Sequence, residues 1–143
     1  MTVLGSAKAM TLCERMRRVA AIAATHADAV DTAARFPREA VDAMRHERLL
    51  GCQIPVELGG DGASVAEISE LCAILGQACA AAAMVFAMHQ IKVSSLVSHG
   101  EEDDWHRGFM VRVATEQLLL ASATTEGGIG GNLRNSICAI EVD

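Results

Sequence analysis

In this chain of 143 residues, 18 acidic side chains outnumber 12 basic ones, for a formal net charge of -6 and a pI near 5.3. No basic stripe is available to neutralise phosphates, which argues against nucleic acid as a partner. The size suits one domain, and half the residues are apolar, yet only 3% are aromatic and none is Tyr. The core must therefore come from Ala, Leu, Val, Ile and Met, the usual filling of helix pairs, and a mainly α protein is expected. Five cysteines, odd in number and scattered, form no C-x-x-C pair and have no zinc-spaced histidines beside them. They read as free thiols in a reducing cytoplasm, with no disulfide framework and no metal site.

In chain order, Leu12, Met16, Val19, Ala23, Ala27 and Val30 recur at helical spacing between charged residues and predict an amphipathic first helix over about 8–34. Glu14, Arg15, Arg17 and Arg18 interrupt any apolar core of a signal peptide. Phe36-Pro37 ends this helix and opens a second, with Ala40, Val41 and Met44 inward and Gly51 as its expected C-terminal stop. "CQIPVELGGDGAS" reads as a loop. Ser64 then stands three residues before Glu67, the capping-box spacing, and starts a third helix with Val65, Ile68, Leu71, Cys72 and Leu75 facing inward.

Gly76 and the alanines at 80–83 predict a bend. Val85, Met88, Ile91, Val93, Leu96 and Val97 then continue as the inner face of a fourth, most buried helix that ends at Gly100. Leu71 to Ile91 carries no charge over a length that could cross a bilayer. Its Gly, Gln, His and Ala content lowers its hydropathy and no basic loop orients it, so a helix pair inside a soluble protein is expected rather than a membrane span. "EEDDWHRGFMVRV" predicts a fifth helix with acidic residues in its first turn and Trp105, Phe109 and Val113 on one side. From Leu118 the period changes, and "LLLASAT" with "SICAIEV" reads as the start of a sheet. The expected organisation is a helical domain over 1–116 and the beginning of a β domain over 117–143.

Between those two apolar runs, "TEGGIGGN" at 125–132 places glycines where main chain can approach a flat ring or a phosphate, with amide N–H groups that favour negative charge. It is neither a G-x-G-x-x-G nor a Walker loop, since no lysine follows and no helix pattern opens after it. His89 lies on an apolar helix face and receives no catalytic role, because a buried histidine hydrogen-bonded across a helix pair is the commoner case.

"IPVELGGDG" at 54–62 resembles the Gly-Gly-x-Gly loop that joins helices in the N-terminal domain of the acyl-CoA dehydrogenase family, and "TEGGIGGN" is similar to that family's Thr-Glu-Pro-Gly-x-Gly-Ser-Asp loop. The order of the two loops and the helices between them extend the resemblance over nearly the whole chain. Gly127, Gly131 and Asn132 depart from the family's proline, serine and aspartate; Gly131 offers a backbone N–H where the family has a hydroxyl.

The resemblance implies FAD as cofactor, contacted by Ser122, Thr124, Thr125, Gly130 and Gly131, with an acyl-CoA substrate and an electron-transfer flavoprotein or other acceptor. It also implies a homo-oligomer and the α,β-desaturation of the thioester, a step of fatty acid metabolism. No catalytic residue is expected in this chain, since the family's base lies in a C-terminal helical domain. Glu57 and Glu126 are expected to cap and orient loops, and the 143 residues alone to be inactive and to hold FAD weakly. The alternatives are a flavin monooxygenase of the same fold and a non-catalytic helical remnant acting as an interaction module.

Overall fold

The computed structural model describes residues 10–99 and 104–122, which hold five α-helices and one 3-10 turn. The helices are α1 (Leu12–Thr32), α2 (Arg38–His46), α3 (Val65–Gly76), α4 (Ala80–His99) and α5 (Asp104–Glu116), with the turn at Val56–Leu58. α1 packs against α2 and α3, α3 against α4, and α5 against the turn. Residues 117–122 run on from α5 without regular secondary structure. The first expected strand starts at Leu118, and its described part, 118–122, is not a strand; the glycine loop and the expected return strand lie outside the described residues.

Two helices start on the same device. The Ser64 hydroxyl accepts from the Glu67 N–H while the Glu67 carboxylate accepts from the Ser64 N–H at 2.8 Å, and Thr11 with Glu14 repeats the pattern. Each box occupies donors that a helix N-terminus otherwise leaves without partners. α1 therefore begins at Leu12, after the Thr11 cap.

Three ends also share one solution. Ala34, Arg48 and Gln117 take left-handed backbone conformations, and the residue after each donates its N–H back to Val30, Met44 and Val113, respectively. This is the 6→1 closure usually built on glycine. The second helix accordingly ends at His46, and Gly51 is not its stop. Gly51 has another reason to lack a side chain: a Cβ there would sit 2.6 Å from the Ala114 Cα of α5. The loop's Gly60 is equally fixed, since a Cβ would lie 2.0 Å from the Ile54 carbonyl oxygen.

One core cluster joins Met16, Val19, Ala23 and Val30 of α1 to Met44, Leu49, Leu71, Leu75 and Phe86. A smaller one sets Ile54 and Leu58 against Val93, Met110, Val113 and Ala114. α1, α2 and most of α3 bury the expected faces, apart from Val65, which is exposed.

α4 buries the expected face only in its last turns, where Val93 is buried and Leu96 and Val97 pack on the second cluster. Ala82, Phe86, His89, Gln90 and Val93 point inward, while Met88 and Ile91 are 45% and 57% exposed. Nor is α4 the most buried helix: it is long and apolar enough to cross a membrane, but only 28% of its apolar window is buried in the fold. Length and composition of this kind occur in core helices as well as in spanning ones. On α5 the buried residues are Met110, Val113 and Ala114, and Trp105 stays exposed, stacked on Phe109 with ring centroids 5.4 Å apart.

Candidate functional site

The inward turn of His89 and Gln90 has a cause in the chain that crosses below them. Residues 47–54 leave α2 as a series of turns, and from Leu49 to Ile54 they are buried where water cannot readily serve their backbone groups. Such groups must find protein partners. Gln90 donates through Nε2 to the Leu49 carbonyl at 3.0 Å and, more weakly, to that of Leu50 at 3.4 Å. Gln53 donates its amide to the Gln90 carbonyl oxygen and to Gln90 Oε1, at 2.8 and 2.9 Å. The Leu50 N–H donates to Gln117 Oε1 at 3.0 Å, while Gln117 Nε2 donates to the Ala114 carbonyl that Arg48 also reaches.

His89 completes this joint. It is fully buried, its Nδ1 accepts the Leu120 N–H at 3.0 Å, and its Nε2 stands 2.7 Å from the Leu50 carbonyl oxygen. Acceptance at Nδ1 assigns the ring proton to Nε2, which donates to Leu50. Burial lowers the pKa of His89 below the ordinary imidazole value, against an opposing pull from the Leu50 carbonyl. The neutral ring thus links α4, the 47–54 turn and the segment leaving α5.

The joint is braced from α1. Arg15 donates to the Glu47 and Arg48 carbonyls and to both oxygens of Asp61, so one guanidinium spans the two ends of the 47–63 loop. Cys52 lies buried beneath it, its thiol pushed up to about 12 by burial first and by the Asp61 charge second. It is inert as a nucleophile at neutral pH. Glu57 is exposed and gives the 3-10 turn no side-chain cap, contrary to its expected role; backbone bonds such as Gly62 N–H to Ile54 and Ala63 N–H to Cys52 hold the loop.

Of the expected flavin contacts, only Ser122 is described; it is exposed at the end of the segment that His89 anchors. Thr124, Thr125, Gly130 and Gly131 lie outside the described residues, as does Glu126. The sequence reading passed over Gln53, Gln90 and Gln117, whose signal was an amide at a position of helical or loop burial. Beside the joint, an apolar groove of about 340 Å³ opens between α3 and α4, lined by Val65, Ile68, Cys72, Ala87 and Ile91 with Gln53 and Gln90 at its floor. Met84 and Met88 continue its apolar character along the exposed side of α4.

The described residues thus form a helical bundle with a polar joint at its exit and a strip of exposed apolar side chains along α4. The sequence model of the acyl-CoA dehydrogenase N-terminal domain matches residues 6–117. The chain belongs to the acyl-CoA dehydrogenase family. It is 38% identical over 74 residues to the 3-sulfinopropanoyl-CoA desulfinase of Paraburkholderia xenovorans (strain LB400), a match covering 46% of this chain and 19% of the desulfinase. The chain thus spans about a fifth of that relative's length. No solved structure matches it.

Proposed function

We propose that the chain is the N-terminal portion of an FAD-dependent oxidoreductase that desaturates an acyl-CoA thioester between its α and β carbons. It acts in the cytoplasm as a homo-oligomer, does not span a membrane, and passes electrons to an electron-transfer flavoprotein or a similar acceptor. The observation that carries this reading is the match of the family's N-terminal domain across all five helices, ending where the chain turns into Ser122 and the glycine loop.

Bound FAD supplies the hydride acceptor. The chain's own share is placement and exclusion of water. Ser122, Thr124, Thr125, Gly130 and Gly131 would hold the cofactor, through hydroxyls and backbone amides suited to a flavin or a phosphate. Met84, Met88 and Ile91 offer an apolar wall to the acyl chain or to the protein that covers it. No group of this chain takes the α-proton.

The desulfinase similarity favours a second reading, another reaction on a CoA thioester. The test is expression of the reading frame to its natural stop, loaded with FAD and assayed in three parallel arms. With saturated acyl-CoA and no oxygen, desaturation predicts bleaching of the flavin and an enoyl product. Release of sulfinate in a second arm supplied with a sulfinylated CoA thioester would favour the second reading, and hydroxylation coupled to oxygen uptake in a third, aerobic arm would contradict desaturation. The 143 residues alone are expected to hold FAD weakly and to turn nothing over.

A further inference from the structure

His89 makes two hydrogen bonds that require opposite things of its two nitrogens. Nε2 must carry a proton to donate to Leu50, and Nδ1 must carry none to accept from Leu120. Leu120 belongs to the segment after α5, and no other described hydrogen bond ties residues 119–122 to the bundle. Leu118 is held separately by its N–H to Val113.

We propose that His89 is a latch, and the positioning residue for the segment leaving the helical domain: neutral, it fixes Leu120 against α4 and the 47–54 turn, and protonated, it releases that segment. Protonation puts an N–H on Nδ1 facing the Leu120 N–H, so one donor meets another and their bond is lost. The bond to Leu50 survives, because Nε2 keeps its proton. Release is therefore local: the turn stays in place and the Leu120 N–H is freed, leaving the segment held only by the apolar packing of Leu119 and Leu120. This inference does not depend on the reaction proposed above, since it concerns only backbone and side chain of this chain.

The surroundings give the extra proton no support. On the turn, Arg48 is committed to the Ala114 carbonyl and Glu47 faces Arg18 and His46. On α5, Arg112 pairs with Glu116. Lys92, His99 and His106 line a groove with Leu119 and Leu120, and none of them is a carboxylate that could stabilise the extra proton. Residues 118–122 carry no ionisable side chain. Burial lowers the pKa in the same direction, so the latch is closed at neutral pH and opens below the ordinary imidazole range.

The experiment is amide hydrogen exchange by NMR on the whole chain, corrected for intrinsic rates and read at Leu120 against Phe86 in the core. A carbon-bound ring proton of His89 reports the titration. Expected is a fall in Leu120 protection of about tenfold for each pH unit between the ordinary imidazole value and the lower His89 transition, levelling off below it, with Phe86 unchanged. In H89N, the Asn oxygen stands near the place of Nδ1 and accepts without titrating, so Leu120 should stay protected and flat over the same range. Leu120 protection unchanged through the His89 transition would overturn the proposal. So would loss at Phe86 in step with Leu120, which would make the event global unfolding. Should H89N fail to fold, the wild-type comparison of Leu120 with Phe86 decides alone.

Discussion

α4 has two stripes at the same helical spacing, and they meet opposite fates. Ala82, Phe86, His89, Gln90 and Val93 are buried; Met84, Met88 and Ile91 are exposed. The buried stripe is the more polar of the two. The difference teaches that burial on this helix follows the needs of the chain beneath it. The 47–54 turn presents carbonyls at Leu49 and Leu50 that apolar side chains could not satisfy, and an unsatisfied buried polar group costs more than an exposed methionine. The exposed stripe is then free to face another surface.

Changes that set the stripes against each other should rank accordingly. Phe86→Ala is expected to cost about 3–5 kcal/mol in chemical denaturation, since a fully buried aromatic leaves a cavity among Leu71, Leu75 and Met44. A loss below about 1 kcal/mol would mean that the inner face is elsewhere. Gln90→Ala removes the side-chain partner of the Leu49 carbonyl and one of the two acceptors of the Gln53 amide, and is expected to cost about 1–3 kcal/mol. A neutral result would show that water reaches the joint.

The same contrast has a pH signature. His89 has a lowered folded pKa, so its contribution is present above the unfolded imidazole value and is lost as pH falls from there through the folded pKa. Glu39, bonded by Arg35, is lowered to about 2, and its contribution disappears only between the ordinary carboxylate range and that value. Thermal melts from neutral pH downward should therefore show an early loss that H89N lacks, separate from a later loss that Glu39→Gln removes. Met88→Ala is expected to change stability by less than about 0.5 kcal/mol, as for a surface position, in the same denaturation experiment.

The legible parts were those where a local signal stands alone. Ser64 with Glu67 announces α3, and Thr11 with Glu14 carries the same mark at α1. The inner residues Met16, Val19, Ala23 and Val30 of α1 alternate with charge, so only one face could be buried. α4 offers no such contrast, because methionine and isoleucine lie on one stripe and phenylalanine and valine on the other. Only the tertiary demand of the turn decides between them.

Gly51 misled for a related reason, since a glycine after a helix can mark a cap or a close approach, and here it marks the approach of α5. His89 is buried and hydrogen-bonded as expected, but to the 47–54 turn and the segment after α5 rather than across a helix pair, and its partners Leu50 and Leu120 are backbone groups, which no side-chain pattern reveals. Of the flavin contacts, the described residues place Ser122 alone at the end of that anchored segment.

The chain's seven methionines allow the orientation of α4 to be read directly. Met16, Met44 and Met110 are buried, while Met84 and Met88 are 63% and 45% exposed. With the methionine methyl groups labelled with carbon-13 and a soluble paramagnetic agent added, at a dilution where light scattering shows a monomer, Met84 and Met88 should relax strongly and Met16, Met44 and Met110 weakly. Protection of Met88 equal to that of Met44 would turn α4 over, and with it the joint of Gln53, His89 and Gln90 on which the account rests.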